Sequence, residues 1–149
     1  MSPENEASNI ASWGLALGFI EEYPENSHWS PWKKLARRLI HEGVVLGLNR
    51  YFRAGMSMSH IIFSTLDHNG LRGEHRVTIE IRSEGKFRVA YGTTNLWFGS
   101  PELEYTLQYE DAFPTFRRFL NQLWTETVAE ALPDELRGFS APVLTRMTE

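Results

Sequence analysis

Hydrophobic and polar residues alternate with a period of two in three stretches of the second half of the chain: residues 76–82, 86–91 and 103–109. Such alternation is typical of strands with one buried and one solvent-exposed face. Residues 60–66 are rich in Ile, Phe and Thr and add a fourth strand. Short connections between the runs predict a four-stranded antiparallel meander over residues 58–109, with Gly85 in a tight hairpin turn.

A helical period marks the segment before this sheet. Ser30 is a favourable N-cap, and Pro31 suits the first helical position because its missing N–H has no partner there. The apolar residues that follow recur every three to four positions and predict a helix over residues 31–53, ending before Gly55. A strand over residues 44–52 is the alternative.

A second helix is predicted over residues 111–131, after the sheet. Asp111 can cap it, and Pro133 follows its end. Its apolar positions form one broad stripe through Phe116, Phe119, Leu120, Leu123 and Trp124.

The two ends of the chain are less regular. Residues 10–23 fit both a helix and a strand, and a helix capped by Ser8 or Asn9 is slightly favoured. Residues 1–9 are predicted to be disordered, and residues 134–149 form a tail. Together the elements predict one α+β domain, residues 1–149, with the helices packed on one face of the sheet.

Composition narrows the function classes. The chain has 149 residues, a net charge of −4 and no cysteine, which excludes disulfides and argues against a general nucleic-acid binder. The sequence lacks signal-peptide features and any long apolar run, so a cytoplasmic protein without a membrane partner is expected. No nucleotide-binding or nucleophile motif is present, so neither a cofactor nor a catalytic residue is predicted.

The stretch from Ser64 to His75 resembles a metal or acid/base site, because His68 and His75 stand beside Asp67 and Glu74. Two imidazoles and one carboxylate are sufficient ligands for zinc. A hairpin turn explains the intervening glycines without any ligand. We therefore predict no metal site, with His68 and His75 as the candidate ligands if one exists.

Four cations on the first helix, Lys33, Lys34, Arg37 and Arg38, form a candidate anion-binding group. The alternative is a solvated helix face that is neutralised by nearby acids: Glu21, Glu22 and Glu25.

Three large apolar residues, Leu96, Trp97 and Phe98, stand together in the connection between the last two predicted strands. They either close the edge of the core or contact a partner, since Trp is favoured in interfaces. The sequence thus favours a non-catalytic protein-interaction module that binds a protein partner or a second copy of itself, through this loop and a sheet edge or helix face. The alternative is a small-ligand-binding protein or hydrolytic enzyme with a pocket between sheet and helices.

Overall fold

The computed structural model describes residues 2–65, 74–93, 101–128 and 132–136. Within them lie three α-helices: α1 (Pro3–Glu21), α2 (Ser30–Val45) and α3 (Tyr109–Val128). The strands are β1 (Arg53–Ser57), β2 (His60–Ser64), β3 (Arg76–Ile81), β4 (Phe87–Gly92) and β5 (Leu103–Leu107). Two short 3-10 helices, Leu48–Arg50 and Asp134–Leu136, complete the described elements.

The strands form one antiparallel sheet in the order β1-β2-β3-β4-β5, which confirms the α+β class and the antiparallel sheet. The sheet has five strands, not four, because Arg53–Ser57 pairs with β2. This segment contains no β-branched or aromatic residue, so its sequence carries no strand signal. Pairing with β2 across a tight turn, in which Met58 has a φ of 57°, overrides its low propensity.

Helix α2 ends at Val45, eight residues before the end that the sequence predicts. Gly47 has a φ of 82°, and its N–H donates to the carbonyl of Val44 at 2.9 Å. A glycine in the left-handed conformation directly after the C-cap is a common helix stop. The chain then forms the short 3-10 helix instead of the strand proposed as the alternative for residues 44–52.

Helix α1 begins at Pro3, although the sequence predicts disorder over residues 1–9 and a cap at Ser8 or Asn9. The hydroxyl of Ser2 accepts from the N–H of Asn5 at 3.1 Å, and Pro3 occupies the first helical position. This is the same Ser-Pro start signal that marks α2 in the sequence. A tertiary contact from Arg50, whose Nε lies 2.6 Å from Glu6 Oε1, further stabilises the first turns.

The helices pack on one face of the sheet, which agrees with the prediction. Phe63 of β2 contacts Trp13 of α1 and Phe116 of α3, with ring centroids 5.2 and 4.7 Å away. Phe119 of α3 contacts Tyr91 of β4 in the same layer. Core residues therefore come from the alternate strand positions that the period-two pattern assigns to one face.

The opposite face of the sheet is not a uniformly solvent-exposed polar surface. Ile62, Thr78 and Ala90 are cross-strand neighbours on that face, and they are only 1%, 6% and 5% exposed. Charged side chains lie towards the strand ends, where Arg88 pairs with Glu104 and His60 Nε2 lies 3.3 Å from Glu80 Oε2. The expectation of one wet face therefore fails at the centre of the sheet.

Among the described helices, none combines the length and the apolarity that a bilayer span requires.

Candidate functional site

The predicted site residues fall into two groups. Leu96, Trp97, Phe98 and His68 lie outside the described residues, so partner binding by the loop stays a prediction. His75 and the four cations of α2 are described.

Ion pairs engage three of the four cations on α2. Lys33 is buried, and its ammonium donates to the carbonyls of Glu21 and Tyr23 at 3.1 and 2.8 Å and pairs with Glu25 at 2.8 Å. Arg37 pairs with Glu21 and Glu25. The pKa of Glu21 is lowered chiefly by its hydrogen bond from Arg37. The pKa of Glu25 is lowered chiefly by its hydrogen bond from Lys33. These contacts support the interpretation as a neutralised face.

Arg38 is the third ion-paired cation of this group, and it faces α3. Its Nε lies 3.1 Å from Glu42 Oε1, and its guanidinium stacks 3.8 Å from the centroid of the Tyr109 ring. The Tyr109 hydroxyl donates to Glu42 Oε2 at 2.7 Å. Lys34 is exposed, and anion binding by the group stays a prediction.

His75 lies in a polar cluster at the end of the sheet where β3 begins and β4 ends. Its Nε2 is 3.0 Å from Glu102 Oε2 and 3.7 Å from Glu126 Oε2. The Tyr91 hydroxyl donates to Glu126 Oε2, and Gln122 Nε2 donates to Glu126 Oε1 at 3.1 Å. The cluster can hold a proton or orient an imidazole, and the described residues contain no group of ligands placed to hold a metal ion.

The Tyr91–Glu126 hydrogen bond predicts a pH-dependent contribution to stability. That bond is the largest cause of the lowered pKa of Glu126, and burial raises the pKa of Tyr91, so the hydroxyl remains a donor. A carboxyl group whose pKa is lowered by folding stabilises the protein above its unfolded pKa and loses that contribution as the pH falls through the folded pKa. Tyr91→Phe should therefore lower the free energy of unfolding by about 1 kcal/mol near pH 7, a low value for a charged acceptor because Glu126 is half-exposed.

Urea unfolding between about pH 3 and pH 7 measures this difference, which should shrink below about pH 4 as Glu126 becomes protonated. Glu126→Gln is the control, because its amide does not titrate and the pH dependence of the Tyr91→Phe effect should vanish in that background. A Tyr91→Phe effect of constant size over the whole range would show that packing, not the carboxylate, is responsible.

The outer face of α1 consists of exposed small and large apolar residues: Ala7, Ile10, Ala11, Gly14, Leu15, Gly18 and Phe19. Leu15 is 68% exposed and Phe19 is 56% exposed. The opposite side of the same helix buries Trp13, Ala16 and Ile20 in the core. Between Ile10 and Ile20 α1 is apolar on nearly all sides, and a helix that is apolar all round is normally covered all round.

The four small residues of the outer face form a row along the helix, with Ile10 on one side and Leu15 and Phe19 on the other. A Cβ atom added at Gly14 or Gly18 would meet nothing within 4 Å. Glycine inside a helix costs about 1 kcal/mol relative to alanine. Among the described residues, therefore, no neighbouring element lies close enough to explain why these two positions are glycine.

The sequence carried a signal for this face that a search for strand and helix periods does not use. The residues at 7, 11, 14 and 18 are all Ala or Gly and follow helical spacing. In the sequence, Gly14 and Gly18 count against a helix, whereas in the structure they give it a face that another helix can approach closely.

A pocket of about 410 Å³ lies between α2 and α3, and it bears on the ligand-binding alternative. The pocket surface is mainly apolar, although polar residues are among those that line it: His41, Glu42, Val45, Leu46, Phe113 and Arg117. Val45 is 86% exposed, so the pocket is an open groove on the helix side of the protein.

Comparisons of the chain with protein-family models, with curated proteins and with solved structures find no match.

Proposed function

We propose that this protein is a non-catalytic interaction module that associates with a second copy of itself through the outer face of α1. The observation that carries the proposal is the run of exposed apolar residues on a helix whose other side already packs in the core. Contiguous exposed apolar surface of this kind marks an interaction site.

A second copy fits this face because the face is self-complementary. The central row of small residues lets another helix approach closely, and the large side chains of Ile10, Leu15 and Phe19 lie directly beside it. In a two-fold symmetric pair, the large residues of each copy pack over the small residues of the other. The contact closes on itself and accounts for both glycines.

Charge favours an antiparallel arrangement of the two helices. Glu22 follows α1 on the side of the outer face, while Arg50 and Arg53 flank the first half of the helix through contacts to Glu6 and Ser8. An antiparallel pair separates the two Glu22 carboxylates and opposes the helix dipoles; the end to which it brings Glu22 carries Glu4 and Glu6 as well as these arginines. A parallel pair would place the two Glu22 carboxylates side by side.

The length of the face is sufficient for a helix pair. From position 7 to position 22 the helix rises by about 22 Å, or four turns.

The sequence adds Leu96, Trp97 and Phe98 as a second anchoring surface within the same proposal, since aromatic residues often dominate interface energies.

Sedimentation equilibrium over a dilution series tests the proposal on the full chain. Leu15→Ser with Phe19→Ser should weaken self-association by about 30-fold or more, the effect of losing about 2 kcal/mol of aromatic and aliphatic anchoring. Thermal unfolding at low concentration should change little, because both positions are exposed. Val44→Ser with Val45→Ser is the matched control on α2 and should leave association unchanged.

A second double variant, Trp97→Ser with Phe98→Ser, tests whether the segment that contains Leu96, Trp97 and Phe98 takes part in the interface. Weakened association without loss of stability supports its part in the interface, and a sharp fall in melting temperature at every concentration assigns it to the core. A wild-type chain that stays monomeric up to about 100 μM, well above the range of specific dimers, would overturn the proposal.

Two double variants at the glycines of the outer face should act differently: alanine should raise stability, and leucine should weaken self-association. Gly14→Ala with Gly18→Ala should raise the free energy of unfolding by about 1–2 kcal/mol, because the helix gains propensity and nothing lies within 4 Å. Gly14→Leu with Gly18→Leu should leave the dilute monomer folded but weaken association at least tenfold, since the added side chains hold the helices apart. Urea unfolding and sedimentation equilibrium report the two effects separately. Unchanged association in the leucine variant would show that the small row is not the contact.

A further inference from the structure

The two edges of the sheet differ in how the rest of the fold covers them. At the β1 edge, the indole N–H of Trp13 donates to the carbonyl of Phe52, and the hydroxyl of Ser12 accepts from the N–H of Ala54 at 2.9 Å. Helix α1 thereby covers the backbone groups of that edge, which is one way in which proteins protect an edge strand. At the other edge, β5 pairs with β4 alone among the described strands.

Strand β5 is more exposed than the strands inside the sheet. Its core-side residues, Leu103, Tyr105 and Leu107, are only partly buried, whereas the core-side residues of β4 are at most 1% exposed. Glu104 and Thr106, which point to the other face of the sheet, are exposed. The core side of this edge therefore offers apolar surface that the described part of the chain does not fully cover.

The backbone groups of Glu104 and Thr106 point away from β4. The carbonyl of Tyr91 points towards β5, because it accepts from the N–H of Glu102 at 2.9 Å. Backbone groups along a strand point alternately to its two neighbours, so every second residue of β4 before Tyr91 also bonds to β5, and Tyr105 is paired with one of them. The residues on either side of Tyr105 therefore turn their N–H and C=O groups outward, where no described strand lies.

Strand β5 lacks most of the residues that keep an edge strand from pairing. Such edges are commonly guarded by proline, by lysine or by other charged side chains. The stretch Leu103–Leu107 contains neither proline nor lysine, and its one charged residue, Glu104, pairs with Arg88 of β4. Because the strand is short, its outward groups form few hydrogen bonds, and pairing at this edge is weak by itself.

The residue pattern of β5 is self-complementary about Tyr105. In an antiparallel pair of two β5 strands with the two-fold axis at this residue, Tyr105 lies opposite Tyr105 of the other copy, and Leu103 lies opposite Leu107. Aromatic and apolar pairs of this kind stabilise antiparallel strands. Glu104 lies opposite Thr106, so the outward N–H and C=O groups of both residues find partners and no like charges stand directly opposite each other.

From this arrangement we infer that the β5 edge pairs with the β5 edge of a second copy and joins two sheets into one continuous antiparallel sheet. The contact uses a different surface from the outer face of α1. Because it is the weaker of the two, it acts between dimers that the α1 faces have already formed, and in this order of assembly it rests on the proposed function. Two distinct two-fold contacts on one chain produce assemblies larger than a dimer.

Thr106→Pro tests the contact, because it removes an outward N–H that does not bond to β4. Thr106→Ala keeps that N–H and is the matched control. In sedimentation equilibrium at about 0.5 mM, a concentration that reveals weak contacts, wild type and Thr106→Ala should form species larger than a dimer. Thr106→Pro should weaken this step at least about tenfold, the factor of one or two hydrogen bonds, and leave the dimer intact. Equal assembly of the proline and alanine variants, or a wild type that stops at the dimer, would overturn the inference.

Amide hydrogen exchange on the wild-type chain tests the same contact without a substitution, so it decides the matter even if Thr106→Pro does not fold. The N–H of Thr106 should exchange at least about twofold more slowly at about 0.5 mM than at about 5 μM, whereas that of Tyr105, bonded to β4, should be protected at both concentrations. Equal exchange of Thr106 at the two concentrations contradicts the pairing.

The two proposed contacts fail in different ways. If Leu15→Ser with Phe19→Ser dissolves the dimer and the wild type forms nothing larger, only the β5 contact is wrong. If that double variant leaves a dimer that Thr106→Pro dissolves, the β5 edge is the dimer contact and the proposed pairing of α1 is wrong.

Discussion

Trp13→Ala is expected to lower the free energy of unfolding by about 5 kcal/mol, the upper end of the range for truncation of a buried aromatic side chain. Trp13 is 1% exposed and packs against Phe63. Its indole N–H also donates to the carbonyl of Phe52 at 2.8 Å, and this buried acceptor loses its partner in the variant. Urea unfolding by circular dichroism measures the effect. Trp13→Phe, which keeps a ring, should lose clearly less.

Gly43 of α2 makes the same contact testable from the other side. A Cβ atom at Gly43 would lie 2.6 Å from the ring of Trp13, which is too close for a buried and rigid neighbour. Gly43→Ala should therefore cost about 1–3 kcal/mol despite its better helix propensity. In the Trp13→Ala background the same change should cost little or stabilise, because the ring is gone. Additive effects in the double-mutant cycle would contradict the close approach of α1 to α2.

Trp124→Ala should lower the free energy of unfolding by about 3–5 kcal/mol. Trp124 of α3 is 5% exposed and packs edge-on against Tyr51 and Phe52, with centroids 5.4 and 5.8 Å away. It joins the last helix to the segment between α2 and β1, so its removal opens a cavity between elements that are distant in sequence. Thermal and urea unfolding measure the loss.

Thr125→Ala is the control for this helix, because Thr125 is exposed and adjacent to Trp124. It should change stability by less than about 0.5 kcal/mol, the usual range for surface positions. For domains of this size, 1 kcal/mol shifts the melting temperature by about 2–8 °C. If Trp124→Ala melts within one or two degrees of the wild type, the apolar stripe of α3 does not face a core.

Part of the candidate chemistry was visible in the sequence. His75 was a candidate because Glu74 precedes it and Asp67 and His68 lie nearby in the sequence. Its contacts to Glu102 and Glu126, however, join residues that are far apart along the chain. The cations of α2 were visible as a group, whereas the burial of Lys33 and its three partners depends on how the segment after α1 folds back on α2. A pocket lined by Trp32, Arg82 and Gly85 is likewise formed by the start of α2 and the β3–β4 hairpin, which no local pattern connects.

The sequence by itself determined the elements whose local pattern and burial coincide. In strands β3 to β5 and in helix α3 the large apolar residues recur with the period of the element and face the core, so that period shows both the element and its face. The start of α2 was predicted to within one residue, because Pro31 fixes the backbone locally, but Trp29 and not Ser30 is the N-cap, and no side chain caps the helix.

Tertiary structure decided the elements in which local preference and final environment differ. Arg53–Ser57 has no strand propensity and becomes a strand because β2 supplies its hydrogen bonds. Helix α1 shows no clear period because it is apolar on both sides, and its first turns depend on contacts with Arg50 and Arg53. Pairing and packing energies come from residues distant in the sequence, so a local pattern does not contain the fifth strand, and it cannot show that the apolar residues on the outer face of α1 stay exposed.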